Sequence, residues 1–386
     1  MKRMVCGTCN VAYEYAAPED QPACCPRCGS PLTLVMNEFS ATPKRYGFEF
    51  TATASEYFRI WIVNLFLTII SLGIYAAWAK VRTRRYIWAN TSLAGHPFTF
   101  HGRPTAILKG NLIIAAIFIA YITLKKFEPV VATGLFLVFG FVFPFLVYKS
   151  LRFNAHNTSY RNIRFRFLGR LKDSYETYLL FAGILPCTLF IFFPAWQFYK
   201  KKYFFSNLAY GLTRSSFSGR KGPFYKAYFF TSLAGIAVFA FFSWAGSYWL
   251  EQISASAGVS AGTLNMFYTF FFTSFLAAVI FYTLQAAIYS LTMNHCWSET
   301  RLGGLTFRST FTVRRLVYIR ITNVLAVIFS LGLLVPWAKI RRLRYILENL
   351  SIVSAQALDT FHGSPGSDLS ALGDAATDFI GIEIGL

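Results

Sequence analysis

The run "VVATGLFLVFGFVFPFLV", Val130 to Val147, contains no charged residue. A bilayer core offers no water to backbone N–H and C=O groups, so a stretch like this crosses it only as a helix or within a closed barrel. About 20 apolar residues suffice for a helix to span. Four more windows approach that length: "NLIIAAIFIAYITL" (Asn111 to Leu124), "YLLFAGILPCTLFIFFPAW" (Tyr178 to Trp196), "TSLAGIAVFAFFSWAGSYWL" (Thr231 to Leu250) and "FYTFFFTSFLAAVIFYTL" (Phe267 to Leu284). All are apolar on every side, whereas a soluble core helix carries a polar face. Only 14% of the chain is charged, against about 25% for a soluble domain. The chain is therefore expected to be a multi-pass helical membrane protein.

The net charge of +20 would suggest nucleic acid on a soluble protein. Here the cations flank the apolar segments, as in cytoplasmic loops and against anionic headgroups. Membrane lipid, anionic in character, is the expected partner, and nucleic acid is not. No signal-peptide core precedes the first segment, which places the N-terminus in the cytoplasm as an expectation.

That N-terminus carries "CGTC" and "CPRCG", a pair of C-x2-C knuckles fifteen residues apart. The spacing is that of a zinc ribbon, with Cys6, Cys9, Cys25 and Cys28 closing a tetrahedron of thiolates around one structural Zn2+. Asn10 and Gly29, which follow the second cysteine of each pair, tolerate the positive φ such knuckles need. Cys24 breaks the spacing and is left as a spare thiol. Two disulfides would need an oxidising compartment. A cytosolic protein partner is expected to dock through this finger.

The strips behind the apolar segments repeat. "AWAKVRTRRYIWAN" (Ala77 to Asn90) and "PWAKIRRLRYILEN" (Pro336 to Asn349) align at a constant offset of 259. The same offset matches Asn64 with Asn323 and "SLG" at Ser71 with "SLG" at Ser330. A looser frame ending in Tyr or Phe, three residues, then Asn also fits Phe153/Asn157 and Tyr203/Asn207. Each copy runs on to a Phe-x-Gly: Phe100/Gly102, Phe167/Gly169, Phe217/Gly219 and Phe361/Gly363. A degenerate fifth copy passes through Asn294 and ends at Phe307 and Ser309. Residues between Asn and Phe partly alternate, as in "RNIRFRFLG" (Arg161 to Gly169), which suits short strands. Such strands either pair on one membrane face or lie separately as amphipathic loops.

Seven apolar segments can be drawn, at about 57–78, 106–124, 130–150, 177–198, 226–250, 266–290 and 316–337. Basic strips follow the first, third, fourth, sixth and seventh. Seven plain crossings would put those strips on opposite sides, against the positive-inside bias. The conflict vanishes if segments two and three form one spanning hairpin, five and six another, and one, four and seven re-enter on the side they leave. Lys80, Arg82, Arg84, Arg85 and their counterparts Lys339, Arg341, Arg342 and Arg344 then meet anionic headgroups.

The block from Tyr57 to Gly102, "YFRIWIVNLFLTIISLGIYAAWAKVRTRRYIWANTSLAGHPFTFHG", with its partial copies and the ending "ALGDAATDFIGIEIGL", resembles the YjgN family of bacterial inner-membrane proteins. The resemblance covers roughly residue 46 to the C-terminus. It implies a multi-pass protein of the bacterial inner membrane, of unknown molecular function, and supplies no catalytic residues. The second copy departs from the pattern at Leu334–Val335, where the first has Tyr75.

Catalytic chemistry is not expected. No paired carboxylates fall inside an apolar span, and no P-loop, GxSxG or HExxH is present. His101 and His362 occupy equivalent positions beside Phe-x-Gly, which points to shared geometry. The expected class is an all-α multi-pass membrane protein built from internal repeats, with short cytosolic β segments and a small N-terminal zinc ribbon. Its expected regions are a ribbon at 1–35, a linker and first extended segment at 36–55, a membrane domain at 56–363 and an acidic tail at 364–386. The expected role is structural or regulatory. The alternative is a transporter or channel, since Gly- or Pro-interrupted apolar segments in matching positions build many transporters.

Overall fold

The computed structural model describes residues 2–6, 12–15, 25, 28, 32–34, 44–257 and 271–354. The chain divides into two compact units, the stretch up to Arg45 and the body Tyr46–Ile352. In the first unit β1 (Lys2–Cys6) pairs antiparallel with both β2 (Ala12–Tyr15) and β3 (Leu32–Leu34).

The body alternates strands with helical hairpins. Strand β4 (Lys44–Phe50) leads into α1 (Ala54–Ile70) and α2 (Ala76–Ala89). Then come β5 (Thr91–Leu93), β6 (His96–Phe100), α3 (Pro104–Phe127) and α4 (Pro129–Asn157). Strands β7 (Thr158–Tyr160) and β8 (Ile163–Phe167) follow, then α5 (Leu171–Tyr175), a π-helical turn at Glu176–Leu180, α6 (Phe181–Cys187) and α7 (Phe193–Asn207). After β9 (Leu208–Tyr210) and β10 (Thr213–Phe217) come α8 (Gly222–Ala257) and α9 (Thr273–Ser298). The body ends with β11 (Thr300–Leu302), β12 (Leu305–Ser309), α10 (Val313–Phe329), α11 (Val335–Glu348) and β13 (Leu350–Ser354).

The ten strands β4 to β13 pair in chain order and close into a barrel, β13 joining β4. This overturns the all-α class. Alternation at each strand was readable, but β6 meets β7 only after the whole α3–α4 hairpin intervenes, and no local pattern encodes such a partner. Closure has a plain cause. Strands of three to seven residues bury too little to stand alone, and a closed ring leaves no unpaired edge. Two-residue turns join the strands; Ala94 and Gly95, then Arg161 and Asn162, all have positive φ, the type I′ geometry that matches strand twist.

Register places Phe48, Leu93, Phe98, Tyr160, Phe165 and Tyr210 on one face of the sheet. Phe98 meets Tyr160 at 4.8 Å between ring centroids, and Phe165 meets Tyr210 at 5.0 Å. The Tyr160 hydroxyl donates to the Leu93 carbonyl, and the Tyr210 hydroxyl donates to the Tyr160 carbonyl. Nearer the helices the same face joins helical cores: Phe100 clusters with Ala77, Val81, Ile107 and Phe153. The Phe-x-Gly motifs among the described residues have a physical reason; Phe361/Gly363 lies outside them. A Cβ at Gly102, Gly169 or Gly219 would lie within 2.5 Å of the ring of the Phe two residues before it.

The helices pack on one another in chain order, and the last, α11, packs against α1. Among the described residues four are long and apolar enough to cross a membrane, at Pro104–Phe127, Pro129–Asn157, Gly222–Gln252 and Thr273–Ser298. The other three apolar segments are broken. At 17 residues, α1 is about 26 Å long by its rise per residue, short of a core about 30 Å thick. It then turns back into α2, on which it packs. The break is made the same way three times. Leu72 and Gly73, Leu189 and Phe190, and Leu331 and Gly332 all have positive φ. The second residue of each pair donates its N–H five residues back, to Thr68, Leu185 and Val327. The hydroxyls of Ser71 and Ser330 accept the N–H groups of Tyr75 and Leu334, starting the return helices. Leu72, Leu189 and Leu331 stand out at 93%, 83% and 95% exposure, an apolar tip on each hairpin.

Candidate functional site

One junction links the helical hairpins to the barrel, and it occurs five times. The carbonyls of Asn90, Asn157, Asn207, Glu299 and Asn349, each at a helix end, accept the N–H groups of Thr51, His101, Leu168, Ser218 and Thr310 on the neighbouring strand ends. The four asparagine side chains donate back to the carbonyls of Tyr86, Phe153, Tyr203 and Tyr345, fixing the last helical turn. Tyrosine hydroxyls then tie each return helix to the start of its hairpin: Tyr86 accepts the Thr53 N–H, Tyr345 accepts that of Thr312, and Tyr203 donates to the Arg170 carbonyl.

The fifth junction corrects the sequence frame. Its helix end is Glu299, whose carboxylate accepts the Ser218 hydroxyl. His295 takes the tyrosine's place, its Nε2 accepting the Arg220 N–H. Asn294 lies one residue off and instead holds the Phe311 backbone with both ends of its amide. A frame written in Tyr, Phe and Asn could not find a His/Glu pair; the signal available was the strand hairpin that follows it.

The basic strips lie on α2 and α11, the return helices of the first and third broken hairpins. Their arginines are partly used inside the protein. Arg84 donates to Asn154 Oδ1 at 2.6 Å and lies over the Phe100 ring. Arg85 donates to the Gly102 carbonyl and Arg344 to that of Ala52. Arg341 donates to Thr322 Oγ1 and Asn323 Oδ1, and lies over Trp337. Arg342 lies over Tyr289, and Lys339 over Tyr57. Arg82 is exposed and Lys80 half-buried.

A cavity of about 420 Å³ opens between α1, α2 and α11, lined by Trp61, Asn64, Thr68, Lys80, Arg84 and Lys339 among others. Asn64 is 6% exposed and its Oδ1 has no hydrogen-bond partner. The other basic cluster lies on α7, where Lys200 sits 3.8 Å from the Trp196 ring centre. Burial, and then the charge of Lys201, push the Lys200 pKa down to about 8.

His101 Nε2 lies 2.8 Å from Ser159 Oγ and 3.1 Å from Thr99 Oγ1. Burial, then the charges of Arg164 and Arg85, hold its pKa below the usual histidine value. His362, its counterpart by sequence, lies outside the described residues. Of the four ribbon cysteines, Cys6 ends β1, Cys25 is buried, Cys28 is exposed, and Cys9 lies outside the described residues. Among the described residues no group of three or more His, Cys, Asp and Glu side chains is placed to hold a metal.

Four spanning helices, three hairpins broken at apolar tips and a barrel at their shared base define a multi-pass membrane protein. The chain belongs to the family described as "Bacterial protein of unknown function (DUF898)", whose model matches residues 45–379. It is 34% identical over 143 residues to the inner membrane protein YjgN of Salmonella typhimurium (strain LT2), covering 37% of this chain and 36% of that protein. It is 32% identical over 142 residues to the inner membrane protein YjgN of Escherichia coli (strain K12), covering 35% and 34%. The matched stretch is thus about a third of the length of these relatives, and both are inner membrane proteins by name. No solved structure matches the chain.

Proposed function

We propose that the protein is a non-catalytic scaffold of the bacterial inner membrane that gathers anionic lipid headgroups around the base of its broken hairpins. The observation that carries this reading is the sharp polarity of those hairpins. Exposed Leu72 and Leu331 form the tips, and the cations of α2 and α11 follow within the same short helices. Each cation near an anionic surface contributes about 1 kcal/mol. Lys80, Arg82 and Lys339 are the residues to test, since the arginines bonded inside the protein would confound folding with binding. Native mass spectrometry of Lys80→Gln/Arg82→Gln/Lys339→Gln should show fewer retained anionic lipids than wild type. Equal retention would sink the reading.

In this reading the N-terminus, the five basic strips and the C-terminus share the cytoplasmic side. Single cysteines at Ser256, Thr83 and Ser206, in a background without native cysteines, test it with a membrane-impermeant thiol reagent on intact cells. Labelling is expected at Ser256 alone. The N-terminal module binds one zinc through Cys6, Cys9, Cys25 and Cys28 and contacts a cytosolic protein. Its support is the knuckle spacing. Metal analysis of the full chain should give one zinc, lost in Cys25→Ser/Cys28→Ser. A transporter role draws support from the three helix breaks at matching positions; solute flux in proteoliposomes would favour it.

A further inference from the structure

The barrel register fixes which way every hairpin points. Phe50 lies beside Thr91, Phe100 beside Thr158, Phe167 beside Leu208 and Phe217 beside Thr300. The Thr310 N–H donates to the Asn349 carbonyl at the fifth such place. The strand ends that carry helices therefore share one rim of the barrel, and the two-residue strand turns share the other. All five helical hairpins rise from the first rim in the same direction. Two of them, α3–α4 and α8–α9, supply the spanning helices. The three broken hairpins stand beside these spans: α2 packs on α3, α7 on α8 and α10 on α9. They thus meet the same bilayer from the same side, but they reach less far. The first cation after each tip is Lys80, Lys200 and Lys339, which lie 8, 11 and 8 residues past Leu72, Leu189 and Leu331. At 1.5 Å per helical residue this gives an apolar depth of about 12–17 Å, one leaflet of a core about 30 Å thick.

The two leaflets are then occupied unequally. Among the described residues ten helical segments pass through the leaflet on the barrel side and four through the far one, counting α5, the π turn and α6 as one. Six extra helices, each about 10–12 Å across, add roughly 500–700 Å² to one leaflet alone. A leaflet has that room, and loosely packed acyl chains for apolar insertions, where it is convex. We infer that the three apolar tips form a lipid-packing surface that recognises bilayer whose barrel-side leaflet is convex, with the acyl chains of that leaflet covering Leu72, Leu189 and Leu331. The inference rests on the proposed seating of the hairpin bases at the headgroups and adds a preference for membrane shape, which needs no anionic lipid.

The test reconstitutes the full chain at low density into pure phosphatidylcholine vesicles of mixed diameter and counts protein per unit area on single vesicles. A dye on Leu212→Cys, exposed in the β9–β10 turn at the opposite rim, reports orientation through a membrane-impermeant quencher, in a background without native cysteines. Molecules with the barrel outside should be about twofold or more denser in the smallest vesicles than in the largest, and molecules with the barrel inside should show the reverse. The two orientations make this comparison independent of any tip variant. Density that ignores vesicle size in both, as when a second copy covers the tips or the hairpins cross completely, would overturn the assignment. Leu72→Asn/Leu189→Asn/Leu331→Asn keeps the turns, since asparagine tolerates positive φ, and should abolish the size dependence; an unchanged dependence would also overturn it. Lys80→Gln/Arg82→Gln/Lys339→Gln should keep the dependence in this neutral lipid, and its loss there would assign the effect to the cations instead of the tips. The headgroup reading fails separately, on retention of anionic lipid by that variant at the wild-type level.

Discussion

Glycine at the tip of a broken hairpin is worth a definite amount of stability, and the three tips allow it to be measured in both directions. Gly73 and Gly332 have φ of 89° and 92°, and a Cβ built at either would meet nothing within 4 Å. Replacing either with Ala therefore tests backbone cost without steric cost. For an L residue, left-handed backbone costs roughly 1–2 kcal/mol, so Gly73→Ala and Gly332→Ala should each destabilise by about that much. At the second tip nature has already made the unfavourable choice, since Phe190 stands there with a φ of 62°. Phe190→Gly should recover about 1 kcal/mol of backbone strain in detergent. In a bilayer the gain should shrink, because the ring is 64% exposed at an apolar tip. Unfolding in mixed micelles, followed by tryptophan fluorescence at increasing denaturing-detergent fraction, reads all three variants on one scale. If both glycine variants match wild type, or Phe190→Gly is the least stable of the set, the account of the tips is wrong.

Asn349→Ala removes the bonds to the Tyr345 carbonyl and from the Thr310 hydroxyl, and should cost about 1–2 kcal/mol by the same unfolding assay. Arg341→Met leaves Asn323 Oδ1 without its donor and should cost about 1–3 kcal/mol, whereas Arg82→Met, its counterpart, should change stability by less than about 0.5 kcal/mol. The His101 pKa is lowered in the folded state, so the unfolded chain takes up its proton first as pH falls. Stability should drop below about pH 6.5, and that slope should weaken in His101→Gln. Lys200 follows the same sign at higher pH: with its pKa at about 8 when folded, stability should rise between about pH 8 and 10.4, and Lys200→Met should flatten the rise.

Part of this architecture could be read from the residues and part could not. The four long spans were visible because apolar length and missing charge are local properties. The breaks at Gly73 and Gly332 were visible because glycine marks positive φ; the third was expected within segment four, whose Pro186 and Pro194 flank it, but nothing about Phe190 announces that the turn falls there. Alternation exposed single strands, but their closure into a barrel depends on partners separated by whole hairpins. Cations could be counted, yet their employment could not. Arg84 and Arg341 reach inward while Arg82, in an equivalent position, faces out. The unpaired Asn64 oxygen was beyond reach, because its interest lies in what a matching residue fails to do.

The barrel is closed by the last strand against the first, and this sets a timetable for biosynthesis. Strand β4 ends at Phe50 and β13 begins at Leu350. At roughly 5–20 residues per second, one side of β4 waits on the order of 15–60 s for its neighbour. During that interval β4 is an open edge, the kind of surface that recruits foreign strands, held at the membrane while two spanning hairpins insert. The ring is thus a clasp fastened only when β13 has been made. A ribosome that stalls before Leu350 releases a chain with two adhesive edges, which makes β13 a natural checkpoint between a finished protein and one destined for proteolysis.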